Sequence, residues 1–482
     1  MAFDMTFIPQ DRISKSTFGD DVSMEFDAQV AIKAVYNILD NTQTFTATGG
    51  SVAATNSEFV LQTGTSSGGY GALWSHLPIV YSPGIGGEAR ITARFTAGVA
   101  SSLQACGLFS AADGMFFGYN GTSFGIMHRH HGEFEVRTLT VNVAAGGAET
   151  VTVTLNGVAY TASVTAGTTT QNAHEIETGL SAGAAASIWH IQHIGSTIVF
   201  VGLAIGSKSG SYSVSSTGAL AGTIAQTKAG AAATETWTAQ ASWNIDTASW
   251  LDPTKGNLYR LEFAYLGYGP LVYSIFHPTR REWARVHVID WPNANTGTNI
   301  GNPSMRVGWV SASLGSTTNL TVAGASAMAG LQGIKYHARS FGGYGTATGV
   351  TTETQVLTVQ VRREFGGRAC NAILKPMVLS IGTDSNKGAI FRVLRNPTVS
   401  GTTAHAYVDQ TESIALTDTA GTTVSGGRLL GVYSVGPSGR ATISLADQNM
   451  YQISGDELVI TAQVTSGAAS EMTASLVWEE RE

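Results

Sequence analysis

The sequence predicts a mainly β protein: β-sandwiches in series, of jelly-roll or concanavalin-like type, with one small inserted α+β module and an N-terminal helix. Three observations predict it. In the stretch from Asn257 to Trp309, Tyr259, Leu261, Phe263 and Tyr265 share one face while Arg260 and Glu262 share the other, and Leu271, Tyr273, Ile275 and then Ala284, Val286, Val288 repeat the apolar side; this period of two is that of a strand. Gly267, Gly269, Pro278 and Thr279 separate the runs as turns, so the product is an antiparallel meander with one apolar face. Composition agrees: of 482 residues 43% are hydrophobic, only 13% are charged and 57 are glycine, a balance that favours sheets with small-residue surfaces over charged helices. A meander cannot bury its apolar face alone. The first quarter of the chain is therefore expected to supply a second sheet.

Charge and cysteine content exclude several function classes. With a net charge of −7 there is no basic footprint for a phosphate backbone, so no nucleic-acid partner is expected. Cys106 and Cys370 lie far apart and are expected to be buried free thiols. The first residues lack a positive segment followed by an apolar run, and no stretch approaches 18 continuous apolar residues. The expectation is a chain made in a cytoplasm, with no membrane insertion.

In chain order, residues 1–43 read as an N-terminal arm and helix serving attachment. Met24, Ala28, Ala31, Val35 and Ile38 fall at spacings of four and three, flanked by Ile32 and Leu39, and Asp20 and Asp21 suit a helix start. These five residues are interface candidates, because the same spacing fits a seam between identical subunits; packing on the helix's own sheet is the alternative, and two heptads are too few to specify a coiled coil. Residues 44–137 with 241–340 read as a central β-sandwich: SEFVLQT, EARITARFT and QACGLFS recur at roughly ten-residue intervals, and Asn120-Gly121 marks a hairpin turn.

The densest polar cluster follows, with His128, Arg129, His130, His131, Glu133 and Glu135. On a strand His128 and His130 point to one side and could share a metal ion, and Glu133 with Glu135 could act as paired carboxylates on a sugar. The plainer alternative is a solvated or hydrogen-bonded strand face, which any alternating polar strand produces. His190 and His193 lie in a run of strand period and face opposite ways. No catalytic residue and no cofactor are assigned.

Residues 138–240 read as the inserted module: a hairpin turned at Asn156-Gly157, a helix over Thr169–Leu180 closed by Ala182-Gly183, and a second hairpin turned at Gly195-Ser196. The flanking segments read as consecutive strands of one sandwich, which places the module in a loop of its host. Residues 341–352, rich in Gly and Thr, read as a linker. Residues 353–482 read as a C-terminal β-sandwich of eight short runs, with Arg362, Arg363, Arg368 and Arg395 as a positive patch for a neighbouring subunit or, alternatively, scattered in solvent.

The segment YLGYGPLVYSIFHPTRREWARVHVIDWPNANTGTNIGNPSMRVGWVSASLGSTTNLTVAGASAMAGLQG, covering Tyr265 to Gly333, resembles a pattern in virion proteins of tailed bacteriophages and other large DNA viruses. TVTLNGVAYTASVTAGTTT resembles a small module of phage structural proteins, and LLGVYSVGPSGRATISLADQNMYQISGDELVITAQVTSGAASEMTASLVWEE the sandwich that ends many such chains. The resemblance carries no catalytic motif. It implies a structural part of a virus particle, foremost a tail appendage or tail fibre or a baseplate-associated protein, with capsid decoration or neck protein as a further alternative. It also implies location in the virion, self-association with a homotrimer preferred, and other virion proteins as partners. The second function class is a host-surface glycan-binding adhesin, a receptor-binding protein for surface polysaccharide, with Trp243, Trp250, Trp283, Trp291 and Trp309 as stacking candidates; an aromatic of the core is the alternative for each. An enzyme is not expected, because the acids are dispersed.

Overall fold

The computed structural model describes residues 26–333, 338–401, 403–448, 450–466 and 469–481. The chain forms two compact units, residues 1–132 with 233–337 and residues 133–232 with 338–482. The fold is mainly β, as its sequence rhythm dictates.

In the first unit two sheets face each other across one core. The meander forms as the alternation requires: Asn257–Phe263, Leu271–His277 and Glu282–Ile289 pair antiparallel, with Leu261 opposite Tyr273. Beyond the meander the same sheet continues through Gly87–Phe95, Thr321–Gly324, Glu58–Gln62 and Ser51–Thr55, while Ser326–Leu331 also pairs with Gly87–Phe95 and carries Asp27–Lys33. The facing sheet runs Thr234–Ala239, Ser123–His130, Gly114–Asn120, Ser102–Phe109, Arg306–Ser313, Tyr70–Ser75, Thr42–Ala47. The first quarter of the chain thus contributes to both sheets. Phe95, Tyr259, Leu261 and Tyr273 from one sheet meet Cys106, Phe117, Ile126 and Trp309 from the other, and all are buried. The pairing of inward-facing rows from two sheets is what a sandwich core consists of.

The N-terminal helix is corrected. Residues 27–33 are a strand, with Val30, Ile32 and Ala34 buried and Ala28, Ala31 and Lys33 exposed. The period of two in QVAIKA, which a three-and-four spacing also touches, is the one that pairing with Ser326–Leu331 satisfies. The helical seam therefore does not exist: Ala28 and Ala31 lie on the outer face of this strand, Val35 is exposed and Ile38 is half-buried against the core. Met24 lies outside the described residues.

In the second unit the inserted module has a four-stranded sheet, Trp189–Ile194, Thr197–Ile205, Phe134–Val143, Ala221–Lys228, and a three-stranded one, Val158–Val164, Glu149–Leu155, Ser213–Ser216. Both hairpins form at the expected turns, Asn156 and Gly157 taking φ of 58° and 77°, the left-handed pair a tight two-residue hairpin needs. The helix Thr169–Ser181 is capped by the Thr168 hydroxyl, which accepts from Gln171 N–H, and buries Ala173, Ile176 and Leu180. Gly183, with φ of −107°, does not supply the expected left-handed turn at its end.

The C-terminal sandwich packs a four-stranded sheet, Arg339–Val350, Ser470–Arg481, Ile373–Thr383, Arg440–Ser444, on a six-stranded one whose inner strands are Thr354–Val361 and Glu457–Val464. Residues 341–352 are not a linker: Arg339–Val350 is a twelve-residue strand paired along Ser470–Arg481. Gly345 in it is there for room. A Cβ on Gly345 would sit 2.0 Å from the Val356 carbonyl oxygen, so the neighbouring backbone leaves space for hydrogen alone. Cys106 and Cys370 are buried free thiols, the latter pushed up to about 11 by burial. Among the described residues no helix is long and apolar enough to cross a membrane.

Candidate functional site

The polar cluster at the end of the Ser123–His130 strand lines a cleft of ≈ 630 Å³ within the first unit. His128 and His130 share a face, as two residues apart on a strand must, and their rings stack with centroids 4.6 Å apart. Thr236 stands opposite His128 on the neighbouring strand. His131 ends the strand at φ of 61°, held there by its N–H to Asp113 Oδ1 at 3.1 Å; Asp113 also accepts the N–H groups of Gly301 (2.6 Å) and Asn302 (3.0 Å). One buried carboxylate therefore ties the His131 end of the cleft to the Gly301–Asn302 segment.

His287 reaches the cleft through an irregularity. The register of Glu282–Ile289 shifts between Tyr273 and Ser274, so that His287 pairs with Tyr273 and Ala284 with Ile275, leaving Val286 as the extra residue. Strict alternation would have sent His287 to the side of Arg285; the bulge turns it. Its Nδ1 accepts from Asn244 N–H at 3.1 Å. The opposite rim is the turn after residue 290, where Trp291 Nε1–H donates to Gly297 O at 2.7 Å and closes the loop on itself. The half-buried indole meets His128 and His130 edge to face at 5.5 Å from each.

The imidazoles of His128, His130 and His287 are held neutral at neutral pH. Burial pulls His128 down to about 4, against the opposing pull of the Asn299 carbonyl, and His130 and His287 are lowered by burial as well. Because a carbonyl can only accept, His128 Nε2 carries the hydrogen toward Asn299 O at 2.7 Å, and its Nδ1 is an acceptor. His130 Nδ1 and His131 Nδ1 lie 3.1 Å apart and share one hydrogen between them. The ring nitrogens, Thr236, Thr238 and Asn295 with one indole offer hydrogen bonds and an apolar plane, and no carboxylate, lysine or arginine is among the described lining residues. That chemistry fits an uncharged polyhydroxylated ligand and does not fit a phosphate.

His128 titrates at about 4 when folded and near 6.5 when unfolded, so its contribution to stability is whole above pH 6.5 and is lost as pH falls from there toward 4. The loss is about 3 kcal/mol. We expect urea midpoints at pH 7 and pH 4.5 to differ less in His128→Gln than in the parent chain; an equal difference would contradict the assignment.

Other expected sites fare differently. His128 and His130 do share a side but stack rather than converge, so they do not form an ion-binding pair. Glu133 and Glu135 are not paired acids. Glu135, wholly buried, is raised by burial but held below its usual value overall by Gly230 N–H, Gln226 and Arg137, while Glu133 pairs with Arg368 and Lys228. Arg368 and Arg395 are engaged inside the unit, Arg395 with Asp456, and Arg362 is 3% exposed and donates to the Gln410 and Ser413 carbonyls. Arg362, Arg368 and Arg395 are therefore engaged within the unit, although the Arg368 side chain stays half-exposed. Of the tryptophans, Trp243 and Trp309 are core residues, 5% and 0% exposed, and cannot stack on a ligand. Trp250 packs against the core with its indole N–H buried, and Arg260 covers one face of Trp283. Only Trp291 among them lines the cleft. His287 and Asn244 were missed by sequence reading, because nothing in the alternation signals the bulge.

No protein-family model matches the chain, and no curated protein matches it. Among solved structures, the VIP36 exoplasmic/lumenal domain in a Ca²⁺/Man3GlcNAc-bound form is 10% identical, with 65% of this chain and 92% of that chain covered at a TM-score of 0.27. The carbohydrate recognition domain of Emp46p in a metal-free form is 10% identical, covering 65% and 100% at a TM-score of 0.24. An infectious bursal disease virus Gx strain structure is 10% identical, covering 84% and 78% at 0.14. At these TM-scores the three likenesses carry no argument about this chain.

Proposed function

We propose that this chain is a non-enzymatic structural component of a virus particle, foremost of a tail appendage, fibre or baseplate, that associates with further copies of itself. The virus-particle element rests on the sequence resemblance over Tyr265 to Gly333. The association rests on one structural observation, the outer face of the four-stranded sheet in the C-terminal sandwich. Its two middle rows read Gly342, Val477, Val378, Ser444 and Tyr344, Ser475, Ser380, Thr442, with no charge in either. Tyr344 is 76% exposed and Val477 43%. Lys375, Glu479 and Arg440 stand only in the rows at its ends. Copies of a chain with net charge −7 repel one another, so they associate most readily through a surface free of charge, where small side chains permit close approach. The occupant of this face is thus a second copy, and a trimer is the state preferred for this class of protein. Replacing Tyr344 and Val477 together by Arg is expected to abolish association without unfolding the sandwich, read by sedimentation velocity and circular dichroism; unchanged association would refute this use of the face.

A second reading, recognition of a host-surface saccharide, is favoured by the cleft. Trp291 provides a ring plane beside neutral hydrogen-bonding groups in a volume that accepts one or two sugar rings. An appendage can build a particle and bind a cell, so the readings coexist. On a glycan array the parent chain is expected to bind at least one polysaccharide, and Trp291→Ala to lose about tenfold or more of that affinity, the loss of roughly 1.4 kcal/mol of stacking. Absence of binding across the array would leave the architectural reading alone.

A further inference from the structure

Three histidines and a carboxylate meet in the second unit, apart from the cleft. His174 and Glu177 stand three residues apart on the Thr169–Ser181 helix and so share a face. His193 lies against them from the Trp189–Ile194 strand, fully buried, with its Nδ1 bonded to the Glu177 carboxylate. One donor atom from each of the three lies within 4.8 Å of the others. A third imidazole comes from the C-terminal sandwich: the His405 ring is 5.0 Å from that of His193, as is the ring of His174. His405 is 6% exposed, and its Nδ1 is buried without a hydrogen-bond partner among the described residues. Such an orphan costs about 1–3 kcal/mol, which no hydrogen bond among the described residues offsets.

We propose that His174, Glu177 and His193 bind a divalent transition-metal ion of the zinc class, with His405 as the fourth donor. The donor set selects the metal. Imidazole nitrogens with one carboxylate oxygen suit Zn²⁺ and its first-row neighbours, whereas Ca²⁺ and Mg²⁺ ask for oxygen ligands and Cu(I) for sulfur. Bonds of about 2.1 Å to a tetrahedral ion place its ligands about 3.4 Å apart, so the three side chains need close by little more than 1 Å. The ion replaces the hydrogen held between His193 Nδ1 and Glu177, and binding releases a proton to solvent. Around the donors, Thr403 orients two rings, its hydroxyl 2.9 Å from His174 Nδ1 and its carbonyl oxygen 3.3 Å from His193 Nε2. Glu177 is one-fifth exposed and marks the entry path. With the helix and strand from the module and His405 from the sandwich, the ion ties the two parts of this unit at a place where Val136, Ile194, Val199 and Val201 already pack on Leu416.

The test uses the full chain, stripped with EDTA and dialysed. Titration with ZnCl₂ by calorimetry is expected to show one equivalent per chain, and Co²⁺ to give the intense visible bands of a tetrahedral site. His174→Asn with His193→Asn is expected to weaken Zn²⁺ binding about 100-fold or more, and Glu177→Gln about tenfold or more. His405→Asn should shift the Co²⁺ bands away from the tetrahedral pattern, while His128→Asn with His130→Asn changes nothing. No saturable binding by the parent chain, or binding unchanged in the His174/His193 double variant, would overturn the proposal. Should that double variant fail to fold by circular dichroism, Glu177→Gln and His405→Asn decide on the same two readouts.

Discussion

Trp309→Ala is expected to destabilise the central sandwich by about 3–5 kcal/mol, the cost of emptying a large aromatic site in a close-packed core. Trp309 is 0% exposed, packs on Phe59 with ring centroids 5.6 Å apart, and donates its indole N–H to the Thr92 carbonyl at 2.9 Å. It joins the two sheets, since Arg306–Ser313 belongs to one and Thr92 to the strand Gly87–Phe95 of the other. Removal leaves a cavity and takes the indole donor from the Thr92 carbonyl. The surroundings cannot collapse into the space: a Cβ on Gly324 would lie 2.5 Å from the indole nitrogen, which shows how closely backbone already abuts the ring. Urea unfolding followed through the remaining tryptophans measures the loss. A change under about 1 kcal/mol would mean that Trp309 is not the join between the sheets.

Gly345→Val is expected to cost the C-terminal sandwich about 3 kcal/mol or more. The first side-chain carbon would meet the Val356 carbonyl oxygen at 2.0 Å and the Val356 carbonyl carbon at 3.0 Å, both backbone, so no rotamer relieves the clash. Gly342→Ala on the same strand is the control: its Cβ would find nothing nearer than 3.4 Å, and the change should stay within about 1 kcal/mol in either direction. Thermal unfolding of the two variants side by side checks the difference. Equal effects would show that the strand Arg339–Val350 is not seated on Thr354–Val361.

These glycines also show where sequence reading failed and why. SFGGYGTATGV lacks the alternation of large apolar residues that identifies a strand: Phe341 and Ala347 reach the core, but at Gly345 between them the Val356 backbone leaves no room for a side chain. Where side chains do fill the space between sheets, as with Tyr259, Leu261 and Phe263 against Tyr273 and Ile275, the period of two identified both strand and inward face. The hairpins at Asn156-Gly157 and Gly195-Ser196 were legible because their turn chemistry is local. The N-terminal helix failed for the converse reason: apolar residues at 28, 31, 35 and 38 satisfy a helical spacing, and only the partner strand Ser326–Leu331, three hundred residues on in rough terms, decides for the alternation of Val30 and Ile32.

The candidate cleft was half legible. His128, His130 and Trp291 stood out by type and density, but His287 depends on a bulge and Asp113 on contacts with Gly301 and Asn302, none of which leaves a local signal. The cluster of His174, Glu177, His193 and His405 draws on a helix, a strand and a loop of another sandwich. Its residues meet only through packing.

The uncharged, small-residue face of the Arg339–Val350 sheet is proposed to be covered by another copy of the same chain. Sedimentation velocity on the full chain tests this most directly. The expected result is a species whose mass is a multiple of 50.3 kDa, converted to 50.3 kDa when Tyr344 and Val477 are both replaced by Arg. A single 50.3 kDa species for the parent chain across the whole concentration range would contradict it.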